Sequence, residues 1–302
     1  MKPIITVVGS MNMDLVIKVN EIPQIGETLL GNELLQIPGG KGANQGVAIA
    51  KLNNEIIFLG KVGKDVFGDA LIESMKESGV NIEHIEKTDE STGIAVINVD
   101  KYGNNNIIVI PGANGDVDKG YLQRHLIAFE KADIVVFQLE VPLETVKEGL
   151  KIARKLGKTT ILNPAPAYEL DDEIIQNVDI LIPNEHELER ISKIKVTDQD
   201  SILKAANILL QKGIKQIIVT LGGKGVLYID INGYKFFEAY KVNVVDTTAA
   251  GDSFIGGFVS SYIENGNIEK SIEIGQKTAA LAIQKVGAQS SLPTKEEVDN
   301  FR

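Results

Sequence analysis

The 302-residue chain predicts an α/β fold: a mainly parallel sheet with helices on both faces, plus a small β-sheet lid. Three observations predict it. Short β-branched runs recur with nearly continuous apolar character, as strands covered on both faces require. Segments with apolar residues at helical spacing separate them, and strand alternating with helix is the pattern of a parallel sheet wrapped by helices. Two stretches break that alternation with strand pairs that have no helix between them, and these form the small sheet.

The opening MKPIITVVGSMNMD has one lysine and a short apolar run that meets Asp14 without an A-x-A-like cleavage site. Ile4 to Val8 is therefore read as a first strand rather than a signal peptide. Leu15 to Ile37 holds the strand-like LVIKV and a Pro/Gly/Glu-rich passage. Strands follow at Ile56 to Leu59, Ile134 to Phe137, Thr159 to Leu162, Ile180 to Ile182 and Gln216 to Thr220. Leu143, Val146, Leu150, Ala153 and Leu156 mark one helix, and Ile202, Ala205, Ile208 and Leu209 another. Between the early strands, Gly93 to Ile110 joins GIAVINV to NIIVI through the turn Asp100-Lys101-Tyr102-Gly103-Asn104, a hairpin by its residues. No repeat, low-complexity tract or long linker divides the chain. It is read as one domain over 1–302, with the lid at about 15–38 and 93–110.

A chain of this length buries about three quarters of the surface it exposes unfolded, so its core needs no crosslinks. It has no cysteine, which excludes disulfides, thiolate catalysis and Cys-ligated zinc. His84, His125 and His186 are far apart in sequence and form no H-x-x-x-H pair, so no histidine-based metal site or triad is expected. The net charge of −10 opposes a nucleic-acid or anionic-membrane partner, whose affinity would come from clustered Lys and Arg. No run approaches 18 apolar residues, so no membrane span is expected. A cytoplasmic protein is the expectation.

Ligands of open α/β sheets sit beyond the carboxyl ends of the strands, so the strand-to-helix junctions are the places to search. At the first, GSMNMD, Asn12 and Asp14 alternate with Met11 and Met13, which puts an amide and a carboxylate on one side of an extended backbone. They either bind adjacent hydroxyls or shape a turn. The second, PGGKGANQGVAIAKL, is a glycine-rich helix entry with Asn44 in the first turn. It is neither a Walker A loop, since Leu35 and Gly42 stand where Gly and Ser/Thr are needed, nor G-x-G-x-x-G. Such an entry serves close packing as often as binding.

Glu140 follows the next strand and precedes Pro142, where it either meets a ligand or favours a helix N-terminus. In PNEHE, Asn184 with Glu187 three residues on reads as a capping box, or Glu187 holds a hydrated divalent cation near phosphates. VTLGGKGVLYI is a glycine-turn hairpin, or a rail for a nucleotide along Thr220, Gly222 and Gly225. Finally, VVDTTAAGDSF bares a helix start with Ala249, Ala250 and Gly251, leaving free N–H groups for an anion such as phosphate. Asp252 beside it is either a helix-start carboxylate or the group that orients and deprotonates an attacking hydroxyl.

GGKGAN at 39–44, PNEHE at 183–187 and DTTAAGDSF at 246–254, in this order, resemble the ribokinase family of carbohydrate kinases. The resemblance runs from Val7 to about Pro293. Lys41 and Ala249 are the more ribokinase-like of the residues these motifs carry. The resemblance implies a ribokinase-like fold and a sugar site from Asn12, Met13, Asp14, Gly40, Lys41, Gly42, Ala43, Asn44, Glu140 and Asp252. It implies an ATP site from Asn184, Glu187, Thr220, Leu221, Gly222, Gly223, Lys224, Gly225, Gly251 and Asp252, with Gln276 by the adenine. Mg²⁺ would act through water on Glu187. Asp252 would be the catalytic base, and Ala249, Ala250 and Gly251 the anion hole. A monovalent cation, usually K⁺, would lie by Asp246, Thr248, Ala282, Lys285, Gly287 and Ser291, several of them through carbonyl oxygens. The lid would also pair across a homodimer.

The activity so implied is ATP-dependent phosphorylation of D-ribose at its 5-hydroxyl. A kinase of deoxyribose, fructose or a nucleoside is the alternative within the enzyme class. A sugar-sensing protein that has lost catalysis is the alternative outside it, opposed by the presence of Asp252, Lys41 and the intact glycine turns. A dinucleotide-dependent dehydrogenase lacks its fingerprint here.

Overall fold

A computed structural model describes residues 2–301. Its strands are β1 (Ile4–Val8), β2 (Asn12–Lys18), β3 (Glu33–Gly39), β4 (Glu55–Gly63), β5 (Ile85–Thr88), β6 (Gly93–Val99), β7 (Asn105–Ile110), β8 (Ile134–Phe137), β9 (Thr159–Leu162), β10 (Ile180–Leu181), β11 (Gln216–Thr220), β12 (Gly225–Asp230) and β13 (Gly233–Glu238). The helices are α1 (Lys41–Lys51), α2 (Val66–Glu77), α3 (Lys119–Arg124), α4 (Leu126–Lys131), α5 (Leu143–Lys155), α6 (Asp172–Ile175), α7 (Glu185–Ser192), α8 (Gln199–Gln211), α9 (Ala250–Asn265), α10 (Ile268–Ala282) and α11 (Lys295–Asn300).

Nine strands form the large sheet in the order β13-β12-β11-β10-β9-β8-β1-β4-β5. From β11 to β5 all neighbours are parallel, and β12 and β13 close one edge antiparallel. The period of two along each strand divides the core into two layers. Ile5 and Val7 of β1, Ile56 and Phe58 of β4, and Ile134 and Val136 of β8 pack with Val47 of α1 and Phe258 of α9. Val8, Ile57, Leu59, Val135 and Phe137 face the other way, onto Leu150 of α5 and Leu209 of α8. That is why these runs are apolar without alternation.

The second sheet has the order β3-β2-β6-β7, with the hairpin β6–β7 as expected from its turn residues. β2 pairs parallel with β6 and antiparallel with β3, and β3 continues to Gly39, at the start of the glycine-rich loop. The small sheet is thus continuous with two of the strand-end segments singled out in the sequence. Among the described residues no helix is long and apolar enough to cross a membrane.

One contact sets the geometry beneath the cleft. A Cβ on Gly256 would lie 2.3 Å from the Cβ of Ala48, so its bare backbone lets α9 lie directly against α1. The first turns of the two helices are thereby brought within side-chain reach.

Candidate active site

Asp252 lies in the first turn of α9 and is 6% exposed. It does not cap its own helix, whose start has no side-chain cap. Instead its carboxylate turns to α1: Oδ2 accepts from Asn44 Nδ2 at 3.0 Å and Oδ1 from Gln45 Nε2 at 3.0 Å. Burial pushes its pKa above the usual carboxylate range, opposed by Lys41 and the two amides and reinforced by Glu140. Asp252 therefore stands at the helix start without making a capping bond there. Asn44 Oδ1 is buried with no partner, an acceptor aimed at nothing the protein supplies. Ahead of Asp252, a Cβ at Gly251 would meet nothing within 4 Å, so the helix start is open there, but of the three expected N–H groups that of Ala250 is taken by the Thr247 carbonyl at 3.1 Å, as the turn before the helix closes on itself.

The residues expected to bind a sugar lie close to Asp252. Asn12 and Asp14 share one side of β2, 3% and 8% exposed. Asn12 Oδ1 accepts from Asn114 Nδ2 at 2.7 Å. Lys41, at the start of α1, is surrounded by Asp252, Glu140, Glu187 and Asp14; burial lowers its pKa but these four carboxylates outweigh it and hold it raised. In turn Asp14 is pushed up to about 7, by burial first and then by Glu140 and Asp252, with Lys41 opposing. Gly40 takes φ 91°, and a Cβ there would stand 2.7 Å from the Asn12 nitrogen, so glycine is needed to lay this loop on β2.

Glu140 does not serve the helix that follows it. Its Oε2 accepts from Ser10 Oγ at 2.5 Å and from the Lys41 nitrogen at 3.0 Å, tying the β8 loop to the N-terminus of α1. Pro142 stands at the N-cap of α5 rather than inside its first turn. Met13 and Ala43 pack in the apolar core, and the Gly42 nitrogen donates to Ser10 Oγ.

Across the cleft, Asn184 and Glu187 form the capping box in full: Asn184 Oδ1 accepts from the Glu187 nitrogen, and Glu187 Oε2 from the Asn184 nitrogen, each at 2.8 Å. Glu187 is nonetheless only 7% exposed, within electrostatic reach of Lys41 and Asp252, with burial raising its pKa. Capping and a place in the cleft are both realised. Thr220 bridges to Asn184, so this strand end adjoins the capping box. The turn Gly222–Lys224 completes the β11–β12 hairpin, with open space at Gly222 and Gly223. Leu221 is in the core, and Lys224 pairs with Glu185 at 3.3 Å. Gln276 is buried, and its Nε2 donates to the carbonyls of Phe237 and Glu238, steadying the end of β13.

The loops expected to hold a monovalent cation are joined by Asp246. Its Oδ1 accepts from the Thr248 nitrogen and Oγ1, and its Oδ2 from the Gly287 nitrogen at 2.9 Å. Lys285 turns its ammonium to Glu297, Ser291 Oγ donates to the Ala288 carbonyl, and Ala282 ends α10. His84 and His125 do meet, Nδ1 to Nδ1 at 3.1 Å, despite their separation in sequence. Among the described residues no group of three His, Cys, Asp or Glu could hold a metal.

Five polar residues of this region carried no role in the sequence reading: Ser10, Gln45, Asn114, Gln138 and Asn163. Ser10, Gln138 and Asn163 each stand just past a strand's carboxyl end, and Gln45 directly follows Asn44. That position is the signal which could have found them. Asn114 lies in a short 3₁₀ turn after β7, and no local pattern marks it.

An open α/β sheet whose strand ends gather amide and carboxylate side chains, a buried acid and an open helix start suits a polar ligand beside an anion. The chain belongs to the pfkB family of carbohydrate kinases, whose sequence model matches residues 2–295. It is 42% identical over 298 residues to a Staphylococcus aureus ribokinase, covering 98% of each chain. A deoxyribokinase of Salmonella typhi is 39% identical over 299 residues, again covering 98% of each. The structure of Arabidopsis thaliana ribokinase complexed with ribose and ATP matches with a TM-score of 0.93 at 30% identity, covering 100% of this chain and 99% of that one.

Proposed function

We propose that the protein transfers the γ-phosphoryl group of ATP to the 5-hydroxyl of D-ribose, giving D-ribose 5-phosphate and ADP. The observation that carries the chemistry is Asp252, buried with a raised pKa, held by two amides and set beside the open helix start at Gly251. Asn12, Asp14, Lys41, Asn44 and Glu140 are the sugar-binding set. The orphaned Asn44 Oδ1 is supported in that role by lacking any protein donor.

In the reaction the O5–phosphorus bond forms as the bond from phosphorus to the β,γ-bridging oxygen breaks. Such transition states are largely dissociative, so positioning and charge stabilisation dominate. Asp252 orients the hydroxyl and accepts its proton late, because even a raised carboxyl pKa lies far below that of an alcohol. The N–H groups of Ala249 and Gly251 and the Lys41 ammonium are the donors for the charge that develops on the migrating group, while the Ala250 N–H is already given to the Thr247 carbonyl. Asn184, Thr220 and the Gly222–Gly225 turn form the nucleotide wall, with Gln276 behind the adenine. Glu187 suits a hydrated Mg²⁺ because it is a carboxylate beside the site whose capping bonds fix its orientation; the ion would neutralise phosphate charge. The Asp246-linked loops suit K⁺ through main-chain carbonyls, Lys285 included, since its ammonium is engaged elsewhere.

A homodimer through the small sheet is supported by β7, an edge strand with Ile107, Ile108, Val109 and Ile110 exposed in succession. We place the enzyme in the cytoplasm, where ATP is supplied. A coupled assay of ADP release with and without D-ribose and K⁺ tests the assignment; no ribose-dependent release refutes it. The Salmonella typhi relative supports 2-deoxyribose as the second substrate reading. Turnover on ribose, 2-deoxyribose, fructose and adenosine decides between them.

A further inference from the structure

From the bonding of four buried groups we infer that Gln45 is a positioning residue for Asp252, locked in one orientation by a one-way chain of amides that ends on a backbone carbonyl. The inference rests on the reading of Asp252 as the proton acceptor. It concerns residues that have no part in binding either substrate.

The sense of the chain follows from its fixed end. The Ile182 carbonyl can only accept, and Asn163 Nδ2 donates to it at 3.1 Å. Asn163 therefore turns Oδ1 toward Gln45, whose Nε2 donates to it at 3.1 Å. The same Nε2 carries a second proton, which goes to Asp252 Oδ1 at 3.0 Å. With both protons spent, Gln45 Oε1 faces Gln138 and accepts from Gln138 Nε2 at 2.6 Å. Reversing Gln45 would set acceptor against acceptor at Asn163 and Asp252; Gln138, whose Oε1 is buried without a partner, takes its orientation from Gln45. Gln45 and Gln138 are 0% exposed and Asn163 is 8%, so water does not substitute freely for a broken link.

Asn44 and Gln45 therefore do different work although they are neighbours on α1. Asn44 keeps an unpartnered oxygen for a ligand. Gln45 Nε2 and Oε1 are fully engaged within the protein, so its effect on the reaction passes through Asp252. Its bond aligns the carboxylate and favours its ionised form before the proton arrives. The charged groups that face Asp252 are Lys41, Glu140, Asp14 and Glu187. All of them remain in the variants below.

The test compares Gln45→Met, Gln138→Met, Gln138→Glu and Asp252→Asn by steady-state kinetics across pH, with sugar binding by calorimetry. Gln45→Met should lower kcat by about 10- to 100-fold, the range of a hydrogen bond to a charged group, with sugar KM nearly unchanged. It should also move the acid limb of the kcat profile to higher pH, because a carboxylate that loses a donor is protonated more readily. Gln138→Met should cost less, since the Ile182–Asn163 end still orients Gln45. Gln138→Glu should work at low pH, where a protonated Glu can donate to Gln45, and fail as pH rises and the ionised carboxylate can only accept.

An unmoved acid limb in Gln45→Met, or identical pH profiles for the two Gln138 variants, overturns the inference. If Asp252→Asn is inactive, such a result sinks this inference alone; if Asp252→Asn turns over normally, the reading of Asp252 fails and takes the inference with it. Should a variant not fold, the unsubstituted protein decides. The Gln45 side-chain amide signal must resist solvent exchange and titrate with the acid limb of kcat, and a rapidly exchanging amide contradicts the proposal.

Discussion

Sugar binding should release a proton near neutral pH, and Asp14 is the reason. Ligand-free, its carboxyl titrates at about 7, held up by burial and by Glu140 and Asp252. Donation from sugar hydroxyls to both of its oxygens favours the ionised form. Apparent affinity then falls as protons compete, by about 10-fold between about pH 8 and about pH 6 for a group with this pKa. The sign for the fold itself is opposite to that of an ordinary salt-bridged carboxylate. Folding raises this pKa from 3.8, so Asp14's contribution to stability is full below that pH and is lost as pH rises to about 7. The loss amounts to about 4 kcal/mol from the shift alone. Bound sugar hydroxyls offset part of it. Titration calorimetry with D-ribose in buffers of different ionisation enthalpy reads the proton directly. Release of a fraction of a proton at pH 7, absent in Asp14→Asn, is expected; proton uptake, or an affinity flat across this range, refutes the reasoning.

Gly251→Ala should fold with an unchanged melting temperature, since its Cβ meets nothing in the protein, yet lose kcat as the methyl enters the space assigned to the phosphoryl group; unaltered kinetics would remove the anion hole from that place. Glu187→Gln keeps a residue able to complete the capping box, so its melting temperature should hold while the Mg²⁺ requirement rises several-fold, measured by ADP release against Mg²⁺ concentration. Ile108→Lys puts a charge on an edge strand residue that is 62% exposed. Sedimentation should then show monomer where the unsubstituted chain sediments as dimer, and an unchanged oligomer would move the interface elsewhere.

The α/β architecture was legible because strands covered on both faces cannot hide their apolar character, and the six expected runs became β1, β4, β8, β9, β10 and β11. β5 was not legible: Ile85–Thr88 is a half-buried edge whose composition, IEKT, carries no strong signal. The cleft was legible at its strand ends, where Asp14, Lys41, Asn44, Glu140, Glu187 and Asp252 come within electrostatic reach of one another. Bonds joining residues about a hundred or more positions apart were not legible. Glu140 meets the N-terminus of α1 rather than of the helix that follows it, and the β1–β8 pairing with the bonds of α1 to Ser10 brings the two together. Gln45 reads as one more residue of a helix until Gly256 lets α9 approach and Asp252 meets it.

The central claim is that Asp252 accepts the proton of the attacking ribose hydroxyl. Its most direct test is single-turnover transfer from ATP to D-ribose by the unsubstituted chain and by Asp252→Asn, with both ligands shown bound and the product's phosphorylated position read by NMR. Phosphorylation at O5 is expected, with a loss of about three orders of magnitude or more in the variant, in which acid–base catalysis and charge placement are both removed. Near-normal transfer by Asp252→Asn contradicts the account.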